Sequence, residues 1–175
     1  MKEFLEPKDM DERQEKLFNT SVFMARLLLI GLVFQAVLFI YPSTYGLQEG
    51  FAEMMAAILN SIGIESSAEK VFVYAGNEVY RITQDCLGWK SAAALTGLVM
   101  ASPGDRGGRA RFAAVGIAAL MVANIFRVLT TIYLSHIGFL SFDIIHGIFW
   151  KWGLTVLVLA MWIYWFRARN SQANL

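Results

Sequence analysis

Polar and apolar residues follow one another along this chain in long blocks. Met1 to Thr20 is polar and dense in charge of both signs, after which Ser21 to Tyr41 is apolar apart from Arg26 and Gln35. About 20 residues at 1.5 Å rise cross a ~30 Å hydrocarbon core, so this block predicts a transmembrane helix with Arg26 snorkelling to the interface. Pro42, Ser43 and Gly46 end it. Phe51 to Ile64 sets Phe51, Met54, Met55, Ile58, Leu59 and Ile62 at helical spacing in a segment too short to span, which predicts a helix lying in the interface. Val71-Phe72-Val73-Tyr74 and Glu78 to Thr83 are β-branched and aromatic, and Ala75-Gly76-Asn77 between them predicts a hairpin. Leu87 to Ala101, Phe112 to Leu134 and Ile144 to Phe166 are further apolar blocks, the first short and rich in small residues that permit close packing. Ser102 to Arg111, with its Pro-Gly and Gly-Gly pairs, reads as a loop, and Gly138 to Asp143 as a brief one.

The expected fold is therefore an all-α membrane protein forming one domain over 1–175. It is a bundle of about four transmembrane helices (about 21–41, 87–101, 112–134 and 144–166), with an extracytoplasmic interfacial helix and a small β-hairpin in the 42–86 segment between the first and second spans. Composition agrees: 57% of the 175 residues are hydrophobic and 17% charged, and the mean hydropathy is +0.49, well above soluble domains. The apolar run after Thr20 has no small-residue cleavage site, so 1–20 reads as a cytoplasmic leader and not a signal peptide. Lys2, Lys8, Arg13, Lys16 and Arg26, then Arg106, Arg109 and Arg111 in the 102–111 loop, then Arg167 and Arg169, make ten of the fifteen Lys and Arg and fall on one side of this arrangement. The positive-inside rule makes that side cytoplasmic, with both termini, in a multi-pass protein of the cell membrane. Cations that flank apolar runs give no basic face for nucleic acid. A single cysteine excludes an intrachain disulfide and the multi-cysteine zinc spacings, and no cofactor or metal is expected.

In this topology Cys86 at the start of the second span, Arg127 in the third and His146 opening the fourth all face outward. Arg127 lies seven residues before Leu134, roughly 10 Å deep. Taken singly, each has a plainer reading. A lone Cys is most often a packed small hydrophobe, a His at a helix start an interfacial or capping residue, and His136 near the end of the third block the same. Lys90 and Lys151 fit snorkelling or a lipid phosphate; Trp89, Trp150 and Trp152 fit an outer aromatic belt, Trp162 and Trp165 an inner one. An Arg inside a span is costly enough to suggest function, and the joint arrival of all three at one depth outweighs the separate readings. Together they suit acyl transfer. The thiol attacks as thiolate, the imidazole takes and returns its proton, and the guanidinium offers several donors to a developing oxyanion. Asn124, one turn before Arg127 on the same face, is suited to hold either Arg127 or the substrate. Asp85 beside the thiol would either orient His146 or raise the thiol's pKa.

Asp85-Cys86-Leu87-Gly88-Trp89-Lys90-Ser91, Asn124-Ile125-Phe126-Arg127 and His146, with the Arg-rich Pro-Gly loop between the first two, resemble the exosortase/archaeosortase family of membrane cysteine transpeptidases over about 85–166. Members often have more than four spans, so this chain resembles a short, core-only member; Leu87 stands where many have a small polar residue, and 42–85 carries no matching motif. The resemblance implies an outward-facing protease that cleaves the C-terminal sorting signal of exported proteins: a short motif, a transmembrane helix and a basic tail. Cys86 would form a thioester, Arg127 would stabilise the transition state, His146 would act as base and acid, and Asn124, Asp85 and Lys90 would support them. An outside acceptor, in archaeal members a membrane lipid, would resolve the thioester. Two readings of other classes stand beside it: a non-catalytic membrane subunit of an envelope export or assembly system, with Arg127 on a lipid head group, and a small transporter, for which the chain lacks an inverted repeat.

Overall fold

The computed structural model describes residues 11–40, 44–102, 105–138 and 151–173. The start of the fourth expected span, with His146 and Trp150, lies outside them, as do 1–10, 41–43 and 103–104. In chain order come α1 (Glu12–Ile40), α2 (Tyr45–Ser61), β1 (Ser66–Glu69), β2 (Phe72–Ala75), β3 (Glu78–Arg81), a 3-10 turn (Gln84–Leu87), α3 (Trp89–Ala101), α4 (Arg106–His136) and α5 (Lys151–Ala173).

Two packed centres share the molecule. In the first, α3 lies among α1, α4 and α5, and Leu95, Val99, Ala113, Leu120, Leu154, Val158 and Trp165 are buried together. Gly116 lets α4 approach α3 closely: a Cβ there would stand 2.5 Å from Leu95 Cδ2. α1 joins along a line of contacts only, with Phe23 on Trp162 at 6.1 Å and Phe34 on Trp89 at 5.1 Å between ring centroids. Its remaining faces leave Leu28, Leu29, Leu32 and Val33 exposed. Among the described residues, Glu12–Val37 and Arg106–His136 are the two helices long and apolar enough to cross a membrane. At 13 residues, α3 rises about 20 Å.

The second centre caps the C-terminal end of α4. Ala52, Met55, Ala56 and Leu59 of α2 are buried with Val73 and Ala75 of β2, Tyr80, Ile82, Cys86, and Val128 and Ile132 of α4. The sheet has the order β1-β2-β3, antiparallel throughout. The stripe expected to rest on the membrane interface thus supplies α2's buried side, and Leu47 and Ile62 stay exposed. The hairpin appears as β2 and β3, turned at Gly76 with φ +57°.

Three boundaries differ from the sequence expectation. β1 was not expected, because Ser66-Ser67-Ala68-Glu69 has no strand character of its own. Asn60 holds it instead, its amide donating to Ser66 O at 2.7 Å while its Oδ1 accepts from Ser66 N at 2.9 Å. α4 begins at Arg106, inside the expected 102–111 loop, because Asp105 caps it by accepting from Gly108 N. That hydrogen bond holds the Asp105 carboxyl below the usual carboxylate range. Arg109 then donates to the Met100 and Ser102 carbonyls at 2.9 and 3.1 Å, satisfying the end of α3. α1 begins at Glu12, so the described part of the expected leader is already helical.

Candidate active site

Cys86 is set by a short series of backbone constraints. The ladder between β2 and its partner closes with Ile82 N donating to Val71 O at 2.7 Å. Thr83 is then extended, and the chain folds into the 3-10 turn, where Cys86 N donates to Thr83 O at 2.9 Å. The Thr83 hydroxyl lies 3.4 Å from Cys86 Sγ. Trp89 Nε1 donates to Gln84 O at 3.0 Å, tying the turn to the first residue of α3.

Gly88 joins the turn to α3 with φ +73° and ψ 0°, a left-handed conformation that disfavours a side chain. A Cβ there would also stand 2.7 Å from Asn124 Cγ. Gly88→Ala should therefore lower stability by about 2–4 kcal/mol, partly from backbone strain and partly from displacing a buried amide. Thermal melting in detergent measures it. Adding Asn124→Ala should restore the steric share alone, so the double variant should fall short of the sum of the two single losses.

α4 faces the turn with Asn124, 1% exposed, and Arg127, 8% exposed. Asn124 Nδ2 donates to Cys86 O at 2.7 Å, and Arg127 Nη2 donates to Asp85 O at 3.3 Å. Two side chains one helical turn apart thus hold two consecutive carbonyls, and the cysteine-bearing turn is docked on α4. Among the described residues Asn124 holds the backbone of the cysteine and not Arg127. Its Oδ1 is buried and has no hydrogen-bond partner among the described residues. Thr131 Oγ1 donates to Arg127 O at 2.8 Å.

Tyr80, Arg81, Ile82, Cys86, Arg127, Val128, Thr131 and Ile132 line a cavity of about 20 Å³, room for one water molecule. Among the described residues no carboxylate lies within salt-bridge distance of Arg127. A guanidinium has five N–H donors, and the described residues take up only one of them. Cys86 is 8% exposed and forms part of this cavity's wall. Tyr80 donates to Glu78 Oε2 at 2.5 Å, and Ser135 Oγ donates to the same oxygen at 3.3 Å. Burial, and then the hydrogen bond to Glu78, push the Tyr80 phenol up to about 12, so it stays protonated at neutral pH.

Two supporting residues point elsewhere. The Asp85 carboxylate pairs with Lys90 Nζ at 2.5 Å, and both side chains are largely exposed. That occupies Asp85 with a lysine, and an ion pair so exposed adds little stability. Lys90 Nζ also lies 5.7 Å from the Trp89 ring centroid. His136 ends α4 against the β2–β3 turn, where a Cβ on Gly76 would stand 2.8 Å from its Cε1. His146 lies outside the described residues. Thr83, Gly88, Tyr80 and Thr131 were not singled out from sequence. Only Gly88 left a signal there, as a glycine between a short turn and an apolar helix.

No curated protein and no solved structure matches the chain. The family model for transmembrane exosortases (Exosortase_EpsH) matches residues 15–166. That range runs through α1, α2 and the sheet, the 42–85 segment in which sequence reading found no motif, as well as through the Cys86 turn and α4. The chain thus belongs to the transmembrane exosortase family and is a membrane protein.

Proposed function

We propose that this chain is a cysteine transpeptidase that cleaves the C-terminal sorting signal of exported proteins at the outer face of the membrane. The observation that carries this reading is the shared cavity of Cys86 and Arg127, where the described residues leave most of the guanidinium's donors untaken beside the only thiol of the chain. Cys86 gives its proton to His146, the base that the family resemblance supplies, and its sulfur attacks the scissile carbonyl carbon. The oxygen becomes an oxyanion that Arg127 receives. The C–N bond then breaks as His146 returns the proton to the leaving amine, leaving a thioester on Cys86. An acceptor hydroxyl, from a membrane lipid, loses its proton to His146, attacks the thioester and releases the thiol. Asn124 and Gly88 keep the cysteine turn in register, and Lys90 with Asp85 forms the polar rim.

The chain would act as one membrane domain with four spans and both termini cytoplasmic. Arg169 lies 3.6 Å from Asp105 at the base of α4, and α2 with the sheet packs at the opposite end. This supports a cationic inner end and a capped outer end. The partners are exported proteins ending in an apolar helix and a basic tail. The second reading, a non-catalytic subunit of an export or assembly system, draws on the burial of the Cys86 thiol.

A trapping experiment separates the two. Chain isolated from cells that express a signal-bearing substrate should carry a hydroxylamine-labile acyl group on Cys86, read by mass spectrometry. An unmodified Cys86 under conditions where the substrate is still being processed would sink the thioester mechanism.

A further inference from the structure

β3 is an edge strand, and its outward backbone groups can be assigned from the register. Ala75 pairs with Glu78 across the two-residue Gly76-Asn77 turn, and Val73 pairs with Tyr80. In an antiparallel hairpin of this kind the pair flanking the turn is hydrogen-bonded and the bonded pairs then alternate. The bond from Ile82 N to Val71 O at 2.7 Å continues that series. Glu78, Tyr80 and Ile82 therefore direct their backbone groups to β2, while Val79 and Arg81 direct theirs to the open side. Among the described residues no backbone group meets them there. Val79 is 56% exposed. The same strand runs into the candidate site, because Tyr80, Arg81 and Ile82 line the cavity that holds Cys86 and Arg127.

We propose that an extended segment of the substrate polypeptide pairs with the free edge of β3, using the N–H and C=O groups of Val79 and Arg81, and so leads its scissile bond toward Cys86. This rests on the transpeptidase reading above and adds to it the means by which the substrate is held. The argument for a peptide is one of matching. Two donors and two acceptors recur two residues apart, about 7 Å along the strand, and an extended backbone repeats its own groups at that interval. A lipid acyl chain has no such groups. Native sheets cover or blunt their open edges, whereas among the described residues nothing pairs with this one beside Cys86. Backbone pairing would also fix the depth and direction of the entering chain while leaving many side chains free to vary.

The test uses the full chain in detergent and a synthetic substrate that ends in an apolar helix and a basic tail, assayed side by side with Cys86→Ala. Each amide near the scissile bond is replaced in turn by an ester, which removes one N–H donor. Strand pairing predicts KM rising about tenfold at two positions two residues apart, with little change at the position between them. Val79→Pro removes one outward donor while sparing the bonds to β2, and should raise KM about tenfold with kcat within twofold. Should that variant fail to fold, the ester scan on the unmodified chain still decides. A flat scan with cleavage still dependent on Cys86 overturns strand pairing alone. Cleavage that persists in Cys86→Ala overturns the transpeptidase reading, and this inference with it. A dimer that dissolves on Val79→Pro would mean that a second copy occupies the edge, which also overturns the proposal.

Discussion

Exchange of Cys86 for alanine should abolish cleavage of a co-expressed signal-bearing protein while leaving the chain folded. The two halves of this expectation have different physical origins. Chemically, removal of the nucleophile leaves no group to form the thioester, and losses beyond about 10⁴-fold are usual for such a deletion. Structurally, Cys86 is a small buried side chain in the cap, beside Val128 and Ile132. Deleting one sulfur should cost only about 1 kcal/mol. Alanine is a better choice than serine, because a buried hydroxyl would need its own partner. Immunoblotting of the substrate reports cleavage, and melting of the purified variant reports the fold. Full cleavage by a folded Cys86→Ala chain would leave the non-catalytic reading in possession of the field.

Arg127→Lys should be the next most damaging change, lowering kcat about 10²–10³-fold with KM little altered. Arg127 already commits one donor to the Asp85 carbonyl at 3.3 Å. The planar fork lets the remaining donors reach an oxyanion while that bond is kept, whereas a lysine ammonium is a compact point charge and must choose between them. The structural loss should be modest, since the bond given up is long and Asn124 still holds Cys86 O at 2.7 Å. Retention of full activity by Arg127→Lys would show that positive charge alone suffices at that depth, and would remove the oxyanion role from the mechanism.

How much of this could be read from the chain follows from the range of the forces involved. The face shared by Asn124 and Arg127 is a matter of helical spacing, and the sequence displays it directly. That their partners would be the carbonyls of Cys86 and Asp85, about forty residues away, is not a local property. It arises because Gly88 takes a left-handed conformation and removes the side chain that would hold the turn off α4. β2 and β3 were legible because Val, Tyr and Phe fill them. β1 was not, because its strand state is imposed by Asn60 and by a neighbouring ladder. The start of α4 was misread because Gly107-Gly108 signals a turn more strongly than Asp105 signals a cap; the cap uses the missing side chain, with a Cβ on Gly108 falling 3.0 Å from the Asp105 oxygens. Asp85 was read as acting beside the thiol and Lys90 as snorkelling or meeting a lipid phosphate, but five residues of turn and helix bring them to each other.

The shortness of α3 has a consequence for the surrounding lipid. Its 13 residues fall roughly 10 Å short of a ~30 Å hydrocarbon core, while α1 and α4 on either side exceed it. Such a mismatch is relieved by thinning the bilayer locally or by drawing polar groups inward. In the proposed four-span arrangement the membrane beside α3 would therefore dip toward Cys86, and the bond of the proposed cleavage would need less lifting out of the lipid. Under the proposed mechanism, bilayer thickness would become a variable of the reaction, set by the membrane in which the protein resides.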